Sequence, residues 1–94
     1  MRSVYLVHFK AMETPVEARK MMEKVNAFEL SSDCWLVPTY LQAWQMVSNL
    51  NQLISSPSEG VFLAPLLREE GLKHIVNRPD LLAWFEWLES RDQR

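Results

Sequence analysis

Few residues in this chain could do chemistry, and they are scattered. Cys34 is the single cysteine. It stands in the run Ser31-Ser32-Asp33-Cys34, a thiol beside two hydroxyls and a carboxylate. A nucleophilic thiol needs a base to take its proton, and His8, on an apolar run near the start of the chain, is the candidate. Against that stands the ordinary fate of a free cysteine in a strand-like segment, which is burial as a small hydrophobe. No recognised cysteine-hydrolase pattern surrounds Cys34, so it reads as structural and no residue is assigned a catalytic role.

The other chemically capable groups also favour plain readings. His8 and His74 are the only imidazoles. With Cys34 distant from both, they lack the spacing and the three or four ligands of a zinc site, and no metal or other cofactor is expected. Glu69 and Glu70 are adjacent, cannot share a helical face as an i,i+4 pair does, and read as solvation of a loop. Glu86 and Glu89 lie opposite an apolar arc, where charge belongs. Two glycines, Gly60 and Gly71, exclude a phosphate-binding or dinucleotide-binding loop.

The run Leu81-Leu82-Ala83-Trp84-Phe85-Glu86-Trp87-Leu88 is more informative. Trp84 and Trp87 are three apart and share one side of a helix. With Phe85 and Leu88 they form an apolar face that either packs on the chain's own sheet or makes an interface with a partner, since tryptophan is enriched at binding hot spots.

These residues sit in a chain of 94 residues, enough for one domain over 1–94, with a core over about 3–67 and a C-terminal extension over 68–94. A hydrophobic content of 48% with 23% charged residues is that of a folded protein. The formal charge of −2 comes without a basic cluster, so charge gives no support to a dedicated nucleic-acid binder. One cysteine excludes an internal disulfide. The opening residues MRSVYLVHFK hold too short an apolar run for a signal peptide, and no stretch is long enough to span a membrane. A cytoplasmic protein is expected. The heavy aromatic load, four tryptophans and four phenylalanines, suits a small core completed by a second copy, and a homodimer is expected.

Val4 to Phe9 is short, branched and aromatic, which predicts a buried central strand. A helix follows, with Thr14 as cap, Pro15 in the first turn and Glu17 completing a capping box. Phe28 to Leu30 and Cys34 to Val37 read as a hairpin turning at Ser31 and Ser32, with Pro38 ending the pairing. Thr39, with Gln42 three residues on, predicts the cap of a second helix over roughly Tyr40 to Ile54. Ser55 to Gly60 is a loop, Val61 to Leu67 a short apolar run whose later part Pro65 places at an edge, at a bulge or beyond the paired region, and Leu72 to Val76 a possible short strand. A last helix runs from Pro79 to about Ser90, with Asn77 or Arg78 near its cap. The order predicts an α+β fold, a ferredoxin-like βαββαβ core with an additional C-terminal helix that could cover the open face of the sheet.

That order and three local strings, VYLVHF, SSDCWLVPT and EGVFLAPLL, resemble the small CRISPR-associated ferredoxin-like nucleases and their SinR-like and virulence-associated toxin relatives. The likeness spans about the first 67 residues. It implies a homodimer in which an aspartate after the first strand binds a divalent metal. In this chain Lys10 stands at that place. A protonated ammonium offers no lone pair and repels a cation, so the resemblance leads to a fold of nuclease type that has lost its metal carboxylate. The expected function is therefore non-catalytic, a protein-interaction or assembly module whose contact is made by a sheet edge or by the helix carrying Trp84, Phe85, Trp87 and Leu88. The alternative is a small endonuclease or ribonuclease toxin using Mg²⁺ or Mn²⁺ held by other acidic residues.

Overall fold

The first strand, β1 (Ser3–Phe9), is followed by α1 (Val16–Lys24), β2 (Phe28–Ser31), β3 (Cys34–Thr39), α2 (Ala43–Asn51), β4 (Val61–Leu66), α3 (Arg68–Lys73) and α4 (Pro79–Asp92). The computed structural model describes residues 2–10, 14–54 and 59–92. The four strands form one antiparallel sheet in the order β2-β3-β1-β4. This is the split βαβ arrangement of an α+β, ferredoxin-like fold, with the two C-terminal helices added. No helix among the described residues is long and apolar enough to cross a membrane.

Alternation along the strands sends side chains to two different cores. From β1, Tyr5, Val7 and Phe9 meet Trp35 and Val37 of β3, and α1 and α2 close over them with Ala18, Met22, Met46 and Leu50. The residues between face the other way. Val4 and Leu36 pack under Phe85 and Leu88 of α4, with Leu6, Phe28, Leu66, Leu72 and Ile75 around them. The sheet is thus covered on both faces, which is why β1 and β3 read as almost continuous apolar runs.

The hydrogen-bond parity of β4 explains its proline. Lys10 N–H donates to Gly60 O at 2.7 Å, and the register sets Phe62 against His8, Ala64 against Leu6 and Leu66 against Val4. In an antiparallel ladder bonded pairs alternate, so even-numbered residues of β4 point their backbone groups at β1 and odd-numbered ones point outward. Pro65 is odd, at the free edge, where its missing N–H costs no ladder bond. Pro38 is accommodated differently. It does not end the pairing as expected, since it sits within β3 opposite Val4 and the β1 ladder runs on to Thr39. The last β2 partner on that strand is Leu36, so nothing on the β2 side needs an N–H from Pro38.

Several local expectations are corrected. Thr14 does not cap α1, whose N-terminal flank is Pro15 without a side-chain cap. Its hydroxyl donates instead to Ser32 O at 2.6 Å and accepts the Trp35 indole N–H at 2.8 Å, a tertiary use that outcompetes the local one. The cap of α2 lies at Gln42, whose N–H is accepted by the Gln45 side chain, while Thr39 Oγ1 accepts Leu41 N–H in the turn before it. The hairpin turns at Ser32 and Asp33, one residue later than expected.

The stretch at Leu72 to Val76 is not a strand: Glu69 and Glu70 belong to the first turn of α3, not to a loop, and Lys73 closes that helix. Those charges suit the helix dipole, and the apolar residues Leu72 and Ile75 are claimed by α4. Gly71 lies inside α3 rather than breaking it. A Cβ there would meet Leu66 Cδ2 at 3.4 Å and Phe85 Cζ at 3.6 Å, ordinary van der Waals contact, so the position packs against both without requiring a glycine. Asn77, with φ 54°, supplies the left-handed residue that turns the chain into α4.

Candidate functional site

The end of the sheet where β1 finishes and the β2–β3 hairpin turns gathers the chemically capable residues that the sequence singles out. His8 and Cys34 are directly opposite in the β1–β3 register, hence on one face of the sheet, and Phe62 of β4 continues the row beyond His8. Asp33 follows from the turn. Its carboxylate accepts a hydrogen bond from Ser31 Oγ at 2.7 Å and lies 3.2 Å from His8 Nε2. The Ser31 bond chiefly, with help from His8, outweighs the opposing effect of burial and holds this carboxyl below the usual aspartate range.

That arrangement does not activate the thiol. His8 spends Nε2 on Asp33, and no hydrogen bond joins Cys34 to His8 among the described residues. Burial first, and the Asp33 charge second, push the Cys34 thiol up from its ordinary value. A thiol made less acidic is a poorer nucleophile at neutral pH, the opposite of what cysteine hydrolases arrange. Lys10 is exposed at the end of β1, its backbone tied to Gly60. Among the described residues, no three His, Cys, Asp or Glu side chains converge to hold a metal. His74 sits far away, at the exposed end of α3, 3.8 Å from Glu70.

The aromatic helix packs inward. Phe85 and Leu88 are buried on the chain's own sheet, while Trp84 and Trp87 are half-buried at its margins. Trp84 stacks edge-on to Phe85 with centroids 5.0 Å apart, leans on Phe28 and donates its indole N–H to Asn26 O at 2.7 Å. Arg2 and Arg91 approach the Trp87 ring at 5.5 and 5.8 Å.

At the opposite end of the sheet an ion network locks α4 in place. Asp92, with only 1% of its side chain exposed, accepts from Arg2 and from Arg68, and Arg68 also reaches Glu89 and Arg2 O. Burial alone pushes the Asp92 carboxyl up, but the bonds from Arg68 and Arg2 outweigh it and hold it below the usual range. A cavity of about 560 Å³ opens beside the network, lined by Arg2, Tyr5, Pro65, Leu67, Arg68 and Glu69 among others. Both of its guanidinium groups already face carboxylates, while the buried Arg68 Nε is left without a hydrogen-bond partner. The sequence gives little hint of this network: Glu89 and Asp92 are three apart on α4, but nothing along the chain relates them to residues 2 and 68. Glu89, read from sequence as a solvating charge, is one of its members.

A second group of exposed apolar side chains marks the sheet and helix surfaces that the fold leaves open. Tyr40, Leu41, Trp44 and Val47 lie around the start of α2, Phe62 stands within β4 and Leu67 just after it. No protein-family model, curated protein or solved structure matches the chain.

Proposed function

We propose that this chain is a non-catalytic protein-interaction or assembly module, built on a ferredoxin-like fold of nuclease type and working as a homodimer. The observation that carries the reading is the chemistry at the end of β1. Lys10 takes the place at which the resembled nucleases need a metal carboxylate, and Asp33, the nearest acidic residue of the turn, has its oxygens engaged by Ser31 and His8. A cation approaching this end meets an ammonium and one committed carboxylate. The unactivated Cys34 thiol offers no covalent alternative. The contact surface lies where large apolar side chains stay exposed, since Phe85 and Leu88 of the aromatic helix are spent on the chain's own core.

Incubating the purified protein with RNA and with DNA in Mg²⁺ or Mn²⁺ tests the catalytic half of the reading. The expected result is no cleavage above a protein-free control. Cleavage that disappears in Asp33→Ala would establish the metal-dependent nuclease instead. Size-exclusion chromatography with light scattering tests the homodimer, and a strict monomer at every concentration would remove it.

A further inference from the structure

The two edges of the sheet are not equally protected. β2, at one end of the order, carries Glu29 with Arg19 of α1 paired to it, charges that discourage another strand from adding. β4, at the other end, has no charged residue from Val61 to Leu66. By the parity set at Lys10 and Gly60, the N–H and C=O groups of Val61 and Leu63 and the C=O of Pro65 point outward, and among the described residues they have no ladder partner. Phe62, 62% exposed, stands beside them on the part of the sheet that α4 leaves uncovered.

We propose that a second copy of this chain pairs with this edge, β4 against β4, antiparallel about a two-fold axis at Leu63. The assignment rests on the homodimeric reading above and names its surface. Outward-pointing residues must face one another, which limits the pairing to registers that set odd residues against odd. With the axis at Leu63, that residue exchanges two hydrogen bonds with its counterpart, and each Val61 N–H donates to the Pro65 C=O of the other copy. The same register lays Phe62 over Ala64 and Leu66 over Gly60, large against small, on both sides of the axis. Moving the axis to Ala64 would put Pro65 opposite Leu63 at the centre of the pairing, where its missing N–H removes the innermost bonds, and Val61 opposite Leu67, beyond the end of β4; moving it to Phe62 would carry Pro65 and Leu66 beyond the paired strand. The pairing is isologous, as a closed dimer requires. Two strands of this length bury less than the roughly 1,200 Å² of stable interfaces, so the association is concentration-dependent.

Sedimentation of the full chain from micromolar to millimolar concentration is the test, with three variants beside it. Phe62→Glu changes an exposed side chain and is expected to keep the fold while weakening self-association about tenfold or more, because a carboxylate would be buried against an apolar partner. Leu63→Pro removes an N–H that points away from β1, as Pro65 already does, and is expected to abolish the pairing while leaving the β1–β4 ladder. Trp44→Ala, on the exposed side of α2, is expected to change nothing. Exchange of the Leu63 amide should slow as the protein is concentrated. If Leu63→Pro fails to fold, Phe62→Glu and the Leu63 amide still decide. A dimer of undiminished strength in Phe62→Glu, or one dissolved by Trp44→Ala alone, overturns the β4 edge and leaves the homodimeric reading standing. A monomer at every concentration overturns both and leaves the edge open to a foreign strand.

Discussion

Replacing Phe85 by alanine tests whether α4 belongs to the core or is lent to a partner. Phe85 is 1% exposed, touches Val4 and Leu36 through the second core, stacks edge-on to Trp84 and sits 3.6 Å from where a Cβ on Gly71 would be. Two helices and the sheet would have to move together to fill the space, so little relaxation is available. Truncating a phenylalanine so enclosed costs about 3–5 kcal/mol, against a total stability on the order of 5–15 kcal/mol. The midpoint of urea denaturation followed by circular dichroism should fall by about 2 M, taking a slope of about 2 kcal/mol per M. Melting should drop on the order of 15–30 °C at this chain length. Trp87→Ala, at the half-buried margin, should cost about 1–2 kcal/mol, since less of its area leaves water. A Phe85→Ala protein within about 1 kcal/mol of the parent, with only its self-association lost, would refute intramolecular packing and return α4 to the interface role.

Thr14→Val should destabilise by about 1–3 kcal/mol, because it strands the buried Trp35 indole N–H, whereas Thr14→Ser should be nearly neutral; equal denaturation midpoints for the two would count against the Thr14 link. The Asp92 carboxyl is held low in the folded state, so its contribution is fully present above the unfolded value of about 3.9 and is lost as pH falls through the folded one. Stability measured from pH 7 downward should stay level and then drop below about pH 4, with a shallower drop in Asp92→Asn; an unchanged slope in that variant would exclude the network as its source. Cys34 should alkylate slowly at pH 7, with a rate still rising above the ordinary thiol value of about 8.5, and faster in Asp33→Asn. A rate that levels off near neutrality, or that falls in His8→Ala, would mean that His8 does activate the thiol.

Much of the fold was legible in the sequence because its signals are local. VYLVHF read as a buried strand, the residues before Cys34 as a chain reversal, and Pro65 as a residue for an edge, a bulge or the chain beyond the pairing. The order of such pieces led to the four-stranded sheet with its added helix. Two of the misreadings share one cause. Thr14 and Leu72 to Val76 read by what their immediate neighbours favour, and in both a better partner comes from elsewhere: Trp35 and Ser32 claim the Thr14 hydroxyl, and α4 draws Leu72 and Ile75 into a helical packing. Thr39 differs, since its hydroxyl stays local and accepts Leu41 N–H in a turn, which moves the cap of α2 to Gln42.

The candidate site divides the same way. The sequence by itself determined which groups exist: one thiol, two imidazoles, a lysine at the end of the first strand, and an aromatic helix. It could not say which of them would meet. Only the tertiary structure put His8 beside Asp33 rather than at the service of Cys34, and raised the thiol by burying it. Only it joined Arg2, Arg68, Glu89 and Asp92 and so fixed α4 on its own sheet. Hydrogen-bond parity, which belongs to a pair of strands and not to a run of residues, turned the odd-numbered backbone groups of β4 outward, where among the described residues no strand pairs with them. Pattern along a chain records periodicity, whereas charge neutralisation, desolvation and ladder parity are properties of neighbours in space.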